Sequence, residues 1–208
     1  VSAAQVSGLP ITNGGAFSIA MWVRGPAGQR DMRIFSEGST TNNTPLFNLG
    51  THSRGANGAL DAYIRGNGGA LLNHTYSTTM VFDDTWHHIA WVDNNGQVVL
   101  YVDGVADATD FSYTRGPMDV NTTTIGGILR ANPSHHWRGE IDDVRLYNYA
   151  LREEEVAGIY EPGGVVAEIC DNNRDDDLDG QVDCEDSDCA RHNACLVEIC
   201  GNGEDDDG

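Results

Sequence analysis

The sequence predicts an all-β fold, a two-sheet antiparallel jelly roll with one short helix and a small C-terminal tail. Short segments of alternating apolar and polar residues recur up to about residue 147, and 25 glycines among 208 residues suit a fold with many turns. Only residues 150–160, ALREEEVAGIY, carry apolar side chains at helical spacing. Many short strands with a single short helix are typical of a sandwich or jelly roll.

The predicted strands begin at residues 17–24, FSIAMWVR, where apolar and polar side chains alternate with the period of a half-buried strand. Three short apolar segments follow as predicted strands: residues 33–35, 46–49 and 60–64. Residues 87–104, HHIAWVDNNGQVVLYVDG, predict a hairpin, because Asn95-Gly96 supplies the positive-φ pair that a tight turn needs. Two segments complete the predicted strands: residues 122–128, TTTIGGI, and residues 140–148, EIDDVRLYN.

Four segments of the chain have the order and spacing of the characteristic segments of a known family. They are FSIAMWVR, WHHIAWVD, GQVVLYVDGV and GEIDDVRLYNYALREEEV. On these motifs, the chain resembles the laminin-G-like, concanavalin A-like jelly-roll domains over about residues 1–160. The resemblance implies two facing antiparallel sheets. The composition of EPGGVVA predicts a hinge after this domain. We therefore expect a jelly-roll domain at residues 1–161, a linker at 162–167 and acidic, cysteine-rich repeats at 168–208.

The charge and the cysteines limit the possible partners and location. A net charge of −20 argues against nucleic acid and against anionic membrane surfaces, which carry the same sign. No apolar run approaches the roughly 20 residues of a spanning helix, so we expect no membrane insertion. All five cysteines lie in the acidic tail, which suggests the disulfide framework of an exported protein. We expect a secreted protein, outside the cell or on its surface, in a mature or fragmentary form.

The acidic tail repeats itself with a period of 30 residues, since EICDNNRDDD at 168–177 returns as EICGNGEDDD at 198–207. Residues 171–189 contain eight aspartates and one glutamate. Carboxylates at this density repel one another unless a cation lies between them. The tail therefore predicts either a cation site or a disordered acidic segment that only increases solubility.

One stretch of the tail has the spacing of an EF-hand-type calcium loop, D-x-D-x-D-G-x-x-D-x-x-D. Its acids and turn glycine occupy positions 1, 3, 5, 6, 9 and 12: Asp175, Asp177, Asp179, Gly180, Asp183 and Asp186. Gln181 stands at position 7, where the backbone carbonyl is the ligand. Carboxylate oxygens suit Ca²⁺, so we predict a Ca²⁺ site here. The segment also resembles the acidic, cysteine-containing calcium repeats of the thrombospondin type 3 kind.

The second copy of the repeat offers Asp205 and Asp207 as the first two calcium ligands and stops at Gly208, within its loop. Cys200 is the fifth cysteine, so one thiol lacks a partner within the chain if the other four pair. Two disulfide arrangements stay open: Cys170–Cys184, or Cys170–Cys189 with Cys184–Cys195.

GEIDDVR resembles the start of the E-x-D-x-x-E signature of laminarinase-type glycoside hydrolases. Glu140 and Asp142 point the same way from a strand, and retaining enzymes need two carboxyl groups about 5–5.5 Å apart. The third acid of the signature would fall at Arg145. We therefore expect no catalysis, and we keep Asp142 or Asp143 as a candidate ligand for a calcium ion at the rim of the jelly roll.

Two histidine pairs, His87-His88 and His135-His136, each lie beside a tryptophan. Adjacent residues on a strand point to opposite faces, so neither pair is expected to chelate a metal. The resemblance implies that Trp86 and His88 are buried. No Ser/His/Asp or Cys/His arrangement is visible in the sequence.

The function that we expect is a non-catalytic, calcium-binding extracellular module for adhesion or assembly, a subunit of a surface or filament polymer linked head to tail. The alternative is a carbohydrate-binding module of a larger secreted polysaccharide-degrading enzyme, because jelly rolls serve both uses. A hydrolase in its own right is disfavoured by Arg145. The expected partners are further copies of the chain, another extracellular protein or a glycan.

Overall fold

The computed structural model describes the backbone of residues 2–4 and then residues 11, 15–160, 170–174, 181–186, 189, 192 and 195. It divides the chain into two compact units, Val1–Leu151 and Arg152–Gly208. The first unit contains the strands, and the second contains a helix and two disulfides.

Thirteen strands follow one another in the described part of the first unit: β1 (Ser2–Ala4), β2 (Ala16–Arg24), β3 (Arg33–Gly38), β4 (Leu46–Thr51), β5 (Ala59–Gly66), β6 (Gly69–Met80), β7 (Trp86–Asn94), β8 (Gln97–Val102), β9 (Val105–Ala106), β10 (Thr122–Ile125), β11 (Ile128–Leu129), β12 (Pro133–Ser134) and β13 (Glu140–Tyr147). The helix α1 (Glu153–Tyr160) and a 3-10 helix (Asp183–Glu185) lie in the second unit.

The strands form two antiparallel sheets that face each other. The six-stranded sheet has the order β1-β10-β3-β4-β5-β6, and the five-stranded sheet has the order β13-β2-β7-β8-β9. Strands distant in the chain lie side by side, such as β3 with β10 and β2 with β13, and β11 pairs separately with β12. This architecture confirms the predicted all-β, two-sheet jelly roll.

The hydrophobic core lies between the two sheets and follows the alternation on β2. Trp91 at its centre meets two rings edge to face, Phe47 at 5.8 Å and Phe111 at 5.4 Å between ring centroids. Burial of each such side chain contributes roughly 1.5–3 kcal/mol, so these contacts hold the sheets together. The apolar residues that alternate on β2 are all buried in this core: Phe17, Ile19, Met21 and Val23.

The turn between β7 and β8 has the predicted geometry. Asn95 has a φ of 54° and Gly96 a φ of 88°, the two positive values of a tight hairpin turn. Asn94 pairs with Gln97 across it. The buried Asp93 carboxylate accepts a hydrogen bond from the N–H of Gly96 at 2.6 Å, which stabilises the turn.

The six-stranded sheet has an outward face that is only partly covered. On β4, Phe47 points into the core, so its neighbour Asn48 points outward. Ser36 pairs with Asn48 and shares that face. Its hydroxyl donates to the Gly127 carbonyl at 2.7 Å. The segment 126–137 therefore lies over one part of the face and leaves the rest open.

The two sheets are tied at one edge by Asp107, which follows β9 directly. Its carboxylate accepts the backbone N–H groups of Thr78 at 3.0 Å and Thr79 at 2.7 Å, both on the edge strand β6. It also accepts the N–H of Thr109 at 2.9 Å. Burial alone would raise the pKa of Asp107, but these hydrogen bonds lower it to about 2.

In the second unit, α1 begins at Glu153, within the region predicted to be helical. Its first turn is acidic, which suits the positive end of the helix dipole. The Glu155 carboxylate accepts the N–H of Arg152 just before the helix. Val156 and Ile159 are buried, as their helical spacing predicts.

The disulfides of the second unit decide between the two predicted arrangements. Cys170 pairs with Cys189 and Cys184 with Cys195, at Cα–Cα separations of 5.5 and 5.1 Å. The pairing of Cys170 with Cys184 is therefore wrong, and the second arrangement is confirmed. Cys170 and Cys189 are buried together, whereas Cys184 is exposed.

Candidate functional site

The carboxylates of the hydrolase-like motif each contact a neighbouring group of the chain. Glu140 forms an ion pair with Arg24 on the neighbouring strand. Asp142 is exposed, and its Oδ1 accepts the N–H of Asp143 at 2.9 Å. Asp143 has a φ of 47° within a bulge of β13, and its carboxylate lies 2.8 Å from the Arg145 guanidinium. Arg145 therefore neutralises an acid at the position where the hydrolase signature needs a further carboxylate.

The predicted calcium loop is only partly within the described residues. Asp175, Asp177, Asp179, Asp205 and Asp207 lie outside them, as does Gly180. Calcium binding by these residues stays a prediction.

Three predicted ligands are described: Gln181, Asp183 and Asp186, of which Asp186 is buried. The Asp183 carboxylate accepts two backbone N–H groups, from Asn172 at 2.9 Å and Asn173 at 2.8 Å. Asp183 thus joins residues 181–186 to residues 170–174. Among the described residues, no group of three acidic, histidine or cysteine side chains that could hold a metal lies around Asp183 or around Asp142.

The first histidine pair points to opposite faces, as predicted. His87 Nδ1 lies 2.7 Å from Asp103 and its Nε2 lies 3.2 Å from Asp83. His88 is buried on the other face beside the Trp22 ring, 5.4 Å between centroids. The expected burial of Trp86 is wrong, because this side chain is 39% exposed at the end of its strand.

A polar cleft that the sequence analysis did not identify lies on the open, outward face of the six-stranded sheet. It has a volume of about 170 Å³ and lies between β4, β5, β6 and the covering segment 126–137. The side chains that line it and carry charge or hydrogen-bonding groups are Asp31, Arg33, Asn48, Tyr63, Arg65, His74, Arg130 and His135.

A chain of alternating ionisable groups forms the floor of this cleft. Arg33 is buried and lies between two aspartates, forming an ion pair with Asp31 and placing Nη1 3.9 Å from Asp61 Oδ2. Each aspartate also meets a histidine. His135 Nε2 lies 3.1 Å from Asp31, and His74 Nδ1 lies 2.7 Å from Asp61. The order His135–Asp31–Arg33–Asp61–His74 places one fixed cation between two acids.

Burial affects the two aspartates differently. Burial raises the pKa of Asp61, and the opposing effects of His74 and Arg33 do not cancel this rise. Burial would also raise the pKa of Asp31, but the hydrogen bond from His135 and the charge of Arg33 lower it below its ordinary value. The difference arises because the Asp61 side chain is fully buried, whereas that of Asp31 is one third exposed.

Three buried polar atoms at this site make no hydrogen bond with any described residue: Arg33 Nη1, Asn48 Oδ1 and Asp61 Oδ1. An unsatisfied buried polar atom is unfavourable by about 1–3 kcal/mol. Such atoms are rare in folded proteins, where ordered water commonly supplies the missing partner. Because all three are buried, a molecule in the cleft reaches them only if a side chain moves.

Aromatic rings stand in parallel beside the cleft. The Tyr63 and His74 rings stack at 4.3 Å between centroids, and the Tyr76 and His52 rings stack at 3.9 Å. The His74 and Tyr76 rings, two residues apart on β6, are also parallel, with 6.4 Å between centroids. The cleft thus combines charged groups, unsatisfied polar atoms and flat apolar surfaces.

A sequence signal for part of this site exists in the alternation on β5. Asp61, Tyr63 and Arg65 occupy every second position and share the outward face, while Ala62 and Ile64 face the core. This alternation is typical of any antiparallel strand with one solvated face, so it identifies the outward face but not a site on it. The contributions of the loop residues Asp31 and His135 have no comparable local signal.

The match to a protein family covers nearly all of the first unit and part of α1. The family model of the concanavalin A-like lectin/glucanases superfamily matches residues 2–157. No curated protein sequence matches the chain.

Solved structures with the same fold include carbohydrate-binding domains. The Ruminococcus gnavus IT-sialidase CBM40 bound to alpha2,3 sialyllactose has a TM-score of 0.56 and 17% identity, over 70% of this chain and 82% of that one. Domain 4 of AbnA, a GH43 extracellular arabinanase from Geobacillus stearothermophilus in complex with arabinotriose, has a TM-score of 0.52 and 18% identity, over 73% and 69%. A heptameric SAP-like pentraxin from Limulus polyphemus has a TM-score of 0.56 and 16% identity, over 74% and 73%. At these identities the likeness shows the fold alone.

Proposed function

The chain belongs to the concanavalin A-like lectin/glucanases superfamily over residues 2–157, and from this premise we propose that it binds a glycan, without cleaving it, in the cleft of the six-stranded sheet. The observation that carries this proposal is the lining of the cleft, where charged side chains and partly exposed guanidinium groups lie beside stacked rings.

Sugar chemistry suits this arrangement. Each sugar hydroxyl donates and accepts hydrogen bonds, and the cleft offers guanidinium donors from the partly exposed Arg65 and Arg130. The apolar face of a sugar ring packs against flat side chains, which Tyr63 and His74 supply at the cleft wall. A few convergent polar groups beside apolar surface are typical of small-molecule sites.

The size of the cleft limits what it holds. Its volume of about 170 Å³ is below the roughly 300–1,000 Å³ of pockets that enclose drug-sized ligands. We therefore propose that it takes one sugar unit of a glycan, with the rest of the chain lying along the aromatic rings of β6.

Two observations support binding without cleavage. Hydrolysis of a glycoside needs two carboxyl groups placed on either side of the scissile bond. The acids of the cleft, Asp31 and Asp61, both face Arg33 in the floor and are not free to act as such a pair. On β13, Glu140 and Asp143 are each bonded to an arginine.

An exported location fits both the disulfides and the fold. Disulfides persist in oxidising compartments outside the cytosol, and the described tail contains two. Among the helices of the described residues, none is long and apolar enough to cross a membrane. We propose that the module acts on extracellular glycans.

We retain the calcium-binding adhesion or assembly role as a further proposal. A module that binds a glycan through its jelly roll and stiffens its tail with Ca²⁺ would serve adhesion. Light scattering of the natural chain in millimolar Ca²⁺ tests self-association, and a strictly monomeric species would exclude a polymer subunit.

A glycan array, followed by retention on a gel of the best ligand, tests the main proposal. Replacing Tyr63 by Ala should abolish retention, since this removes a ring at the cleft wall. Replacing the exposed Trp86 by Ala, on the other sheet, should leave retention unchanged. Absence of binding to every glycan, or loss of binding only in the Trp86 variant, would overturn the proposal.

A further inference from the structure

The cleft is basic although the chain is strongly acidic. The chain has 12 arginines and lysines against 32 acids, yet three arginines line this one cleft: Arg33, Arg65 and Arg130. Against them stand Asp31 in the lining and Asp61 beneath it. With both histidines neutral, the site carries a formal charge of +1 in a protein whose net charge is −20.

The three arginines are not equivalent. Arg33 is buried and engaged by its two aspartates, so its charge is neutralised within the floor. Arg65 and Arg130 form no ion pair with any residue in the described part of the chain, and both are partly exposed. Arg65 belongs to β5 and Arg130 to the covering segment, so unneutralised cations border the cleft from two structural elements.

Two guanidinium groups that line one cleft repel each other, and an anion bound between them replaces this repulsion by attraction. A guanidinium group matches a carboxylate or sulfate with two parallel N–H donors, and such charge-assisted hydrogen bonds are roughly twice as strong as neutral ones. A neutral sugar offers hydroxyls alone and leaves both charges to water.

We infer that the glycan taken by this cleft is anionic, and that Arg65 and Arg130 bind an acidic group on its terminal sugar. This inference rests on the proposed function, since it names the ligand class of the same site. The acidic group is a carboxylate or a sulfate, which share the chemistry that two guanidinium groups recognise.

The net charge of the whole protein predicts how the binding of an anionic glycan depends on salt. The net charge of −20 repels an anionic glycan at a distance, while the two arginines attract it within the cleft. Salt screens the distant repulsion more strongly than the contact at the site, because the Debye length is about 8 Å at physiological ionic strength. Association should therefore become faster when salt is raised from low to physiological concentration.

Matched glycan pairs that differ only in charge test the inference by calorimetry on the natural chain. The pairs are sialyllactose with lactose and oligogalacturonate with its methyl ester, both for the carboxylate, and a sulfated galactan with its desulfated form. The charged member of at least one pair should bind at least about tenfold more tightly, a difference of about 1.4 kcal/mol. The pair that shows the preference identifies the acidic group.

Variants show which arginines cause the preference for the charged glycan. Arg65→Gln and Arg130→Gln should each reduce the charged-to-neutral ratio toward one, and Arg65→Lys should restore part of it. Arg54→Gln, an exposed arginine outside the cleft lining, is the matched control and should keep the ratio. Thermal unfolding of each variant shows whether it is folded, and the charge rescue by Lys separates a lost charge from a lost fold.

The outcomes of the two proposals can be distinguished. Equal binding of charged and neutral members at the cleft overturns the anionic ligand and leaves glycan binding intact. A charge preference that survives both glutamine variants also overturns the inference, since the anion then binds elsewhere. Failure of every pair and of the glycan array overturns both proposals.

Discussion

Arg33 Nη1 lies 3.9 Å from Asp61 Oδ2, close enough for strong attraction between charges but too far for a hydrogen bond. Both groups are buried, and each keeps an atom that bonds to no described residue. Since Asp31 shares the same guanidinium, one cation stabilises two acids. The floor of the cleft is thus held together by attraction between buried charges.

Replacing Arg33 by Met should destabilise the fold strongly, because it leaves the buried Asp61 without its cation. Removing one partner of a buried ion pair is expected to reduce the free energy of unfolding by about 3–5 kcal/mol. The double variant Arg33→Met, Asp61→Leu should recover part of this loss. Urea unfolding of the single and double variants measures the coupling, and strictly additive losses would contradict it.

Glu37 should make stability depend on pH. Burial raises the pKa of Glu37 from 4.5 to about 7, and the Thr123 hydroxyl only partly offsets this. Between these pH values the folded state binds more protons than the unfolded state, so stability is greatest below 4.5 and is lost as pH rises through 7. Glu37→Gln should unfold like the wild type at pH 4.5 and be more stable at pH 8 by about 3 kcal/mol. If Glu37→Gln and the wild type differ in stability by the same amount at both pH values, the prediction is contradicted.

His88 should have the opposite effect. Burial lowers the pKa of His88 from 6.5 to about 4, so the unfolded state binds the additional proton. The stability that neutral His88 contributes is therefore fully present above pH 6.5 and is lost as pH falls through 4. The total loss is about 3 kcal/mol. His88→Gln loses packing at every pH, and its deficit at pH 7 measures that loss. The deficit should shrink as pH falls to 4; if it stays constant, His88 is not the titrating group.

Two glycines with similar backbone angles should respond differently to substitution. Gly28 has a φ of 81° with open space around it, and Gly96 has a φ of 88° with the Tyr113 carbonyl where a Cβ would lie. Gly28→Ala adds only left-handed strain of about 1–2 kcal/mol. Gly96→Ala should lose about 1–3 kcal/mol more, because the Tyr113 backbone must move. Equal midpoints of urea unfolding for the two variants would contradict this prediction, because the Tyr113 backbone would then move at no cost in stability.

Chelation should loosen the tail more than the jelly roll. The predicted calcium loop from Asp175 to Asp186 needs a cation to offset the repulsion between its carboxylates. Adding a chelator should speed hydrogen exchange in residues 168–195 far more than in residues 17–147. Asp177→Asn should reproduce the effect, whereas Asp171→Asn, outside the ligand positions, should not. Identical exchange in the tail with and without chelator would remove the basis for calcium.

The strands that the sequence predicted best are those whose signals are local. On β2, alternation alone identifies the buried face, and at the β7–β8 turn the Asn95-Gly96 pair dictates the backbone angles. The longest strand, β6 at Gly69–Met80, was missed. It lies at the edge of its sheet, and register shifts against β5 interrupt the alternation that a regular strand would show.

The cleft was missed because its parts are distant in the chain. Asp31 and His135 are 104 residues apart in the chain, and the hydrogen bond from Arg33 N to the His135 carbonyl, at 3.0 Å, helps to hold their segments together. The ion pair between Asp143 and Arg145 is local by contrast, because residues two apart on a strand share a face. The bulge between Asp142 and Arg145 was not predicted from the alternation.

The Asp107 carboxylate has a consequence for how copies of the chain can meet. An edge strand with free N–H groups is a template on which a second molecule adds a strand of its own. On β6 the N–H groups of Thr78 and Thr79 are already taken by Asp107. Strand addition by a second copy is therefore blocked at this end of β6, and such a copy would have to pair with another part of a sheet edge.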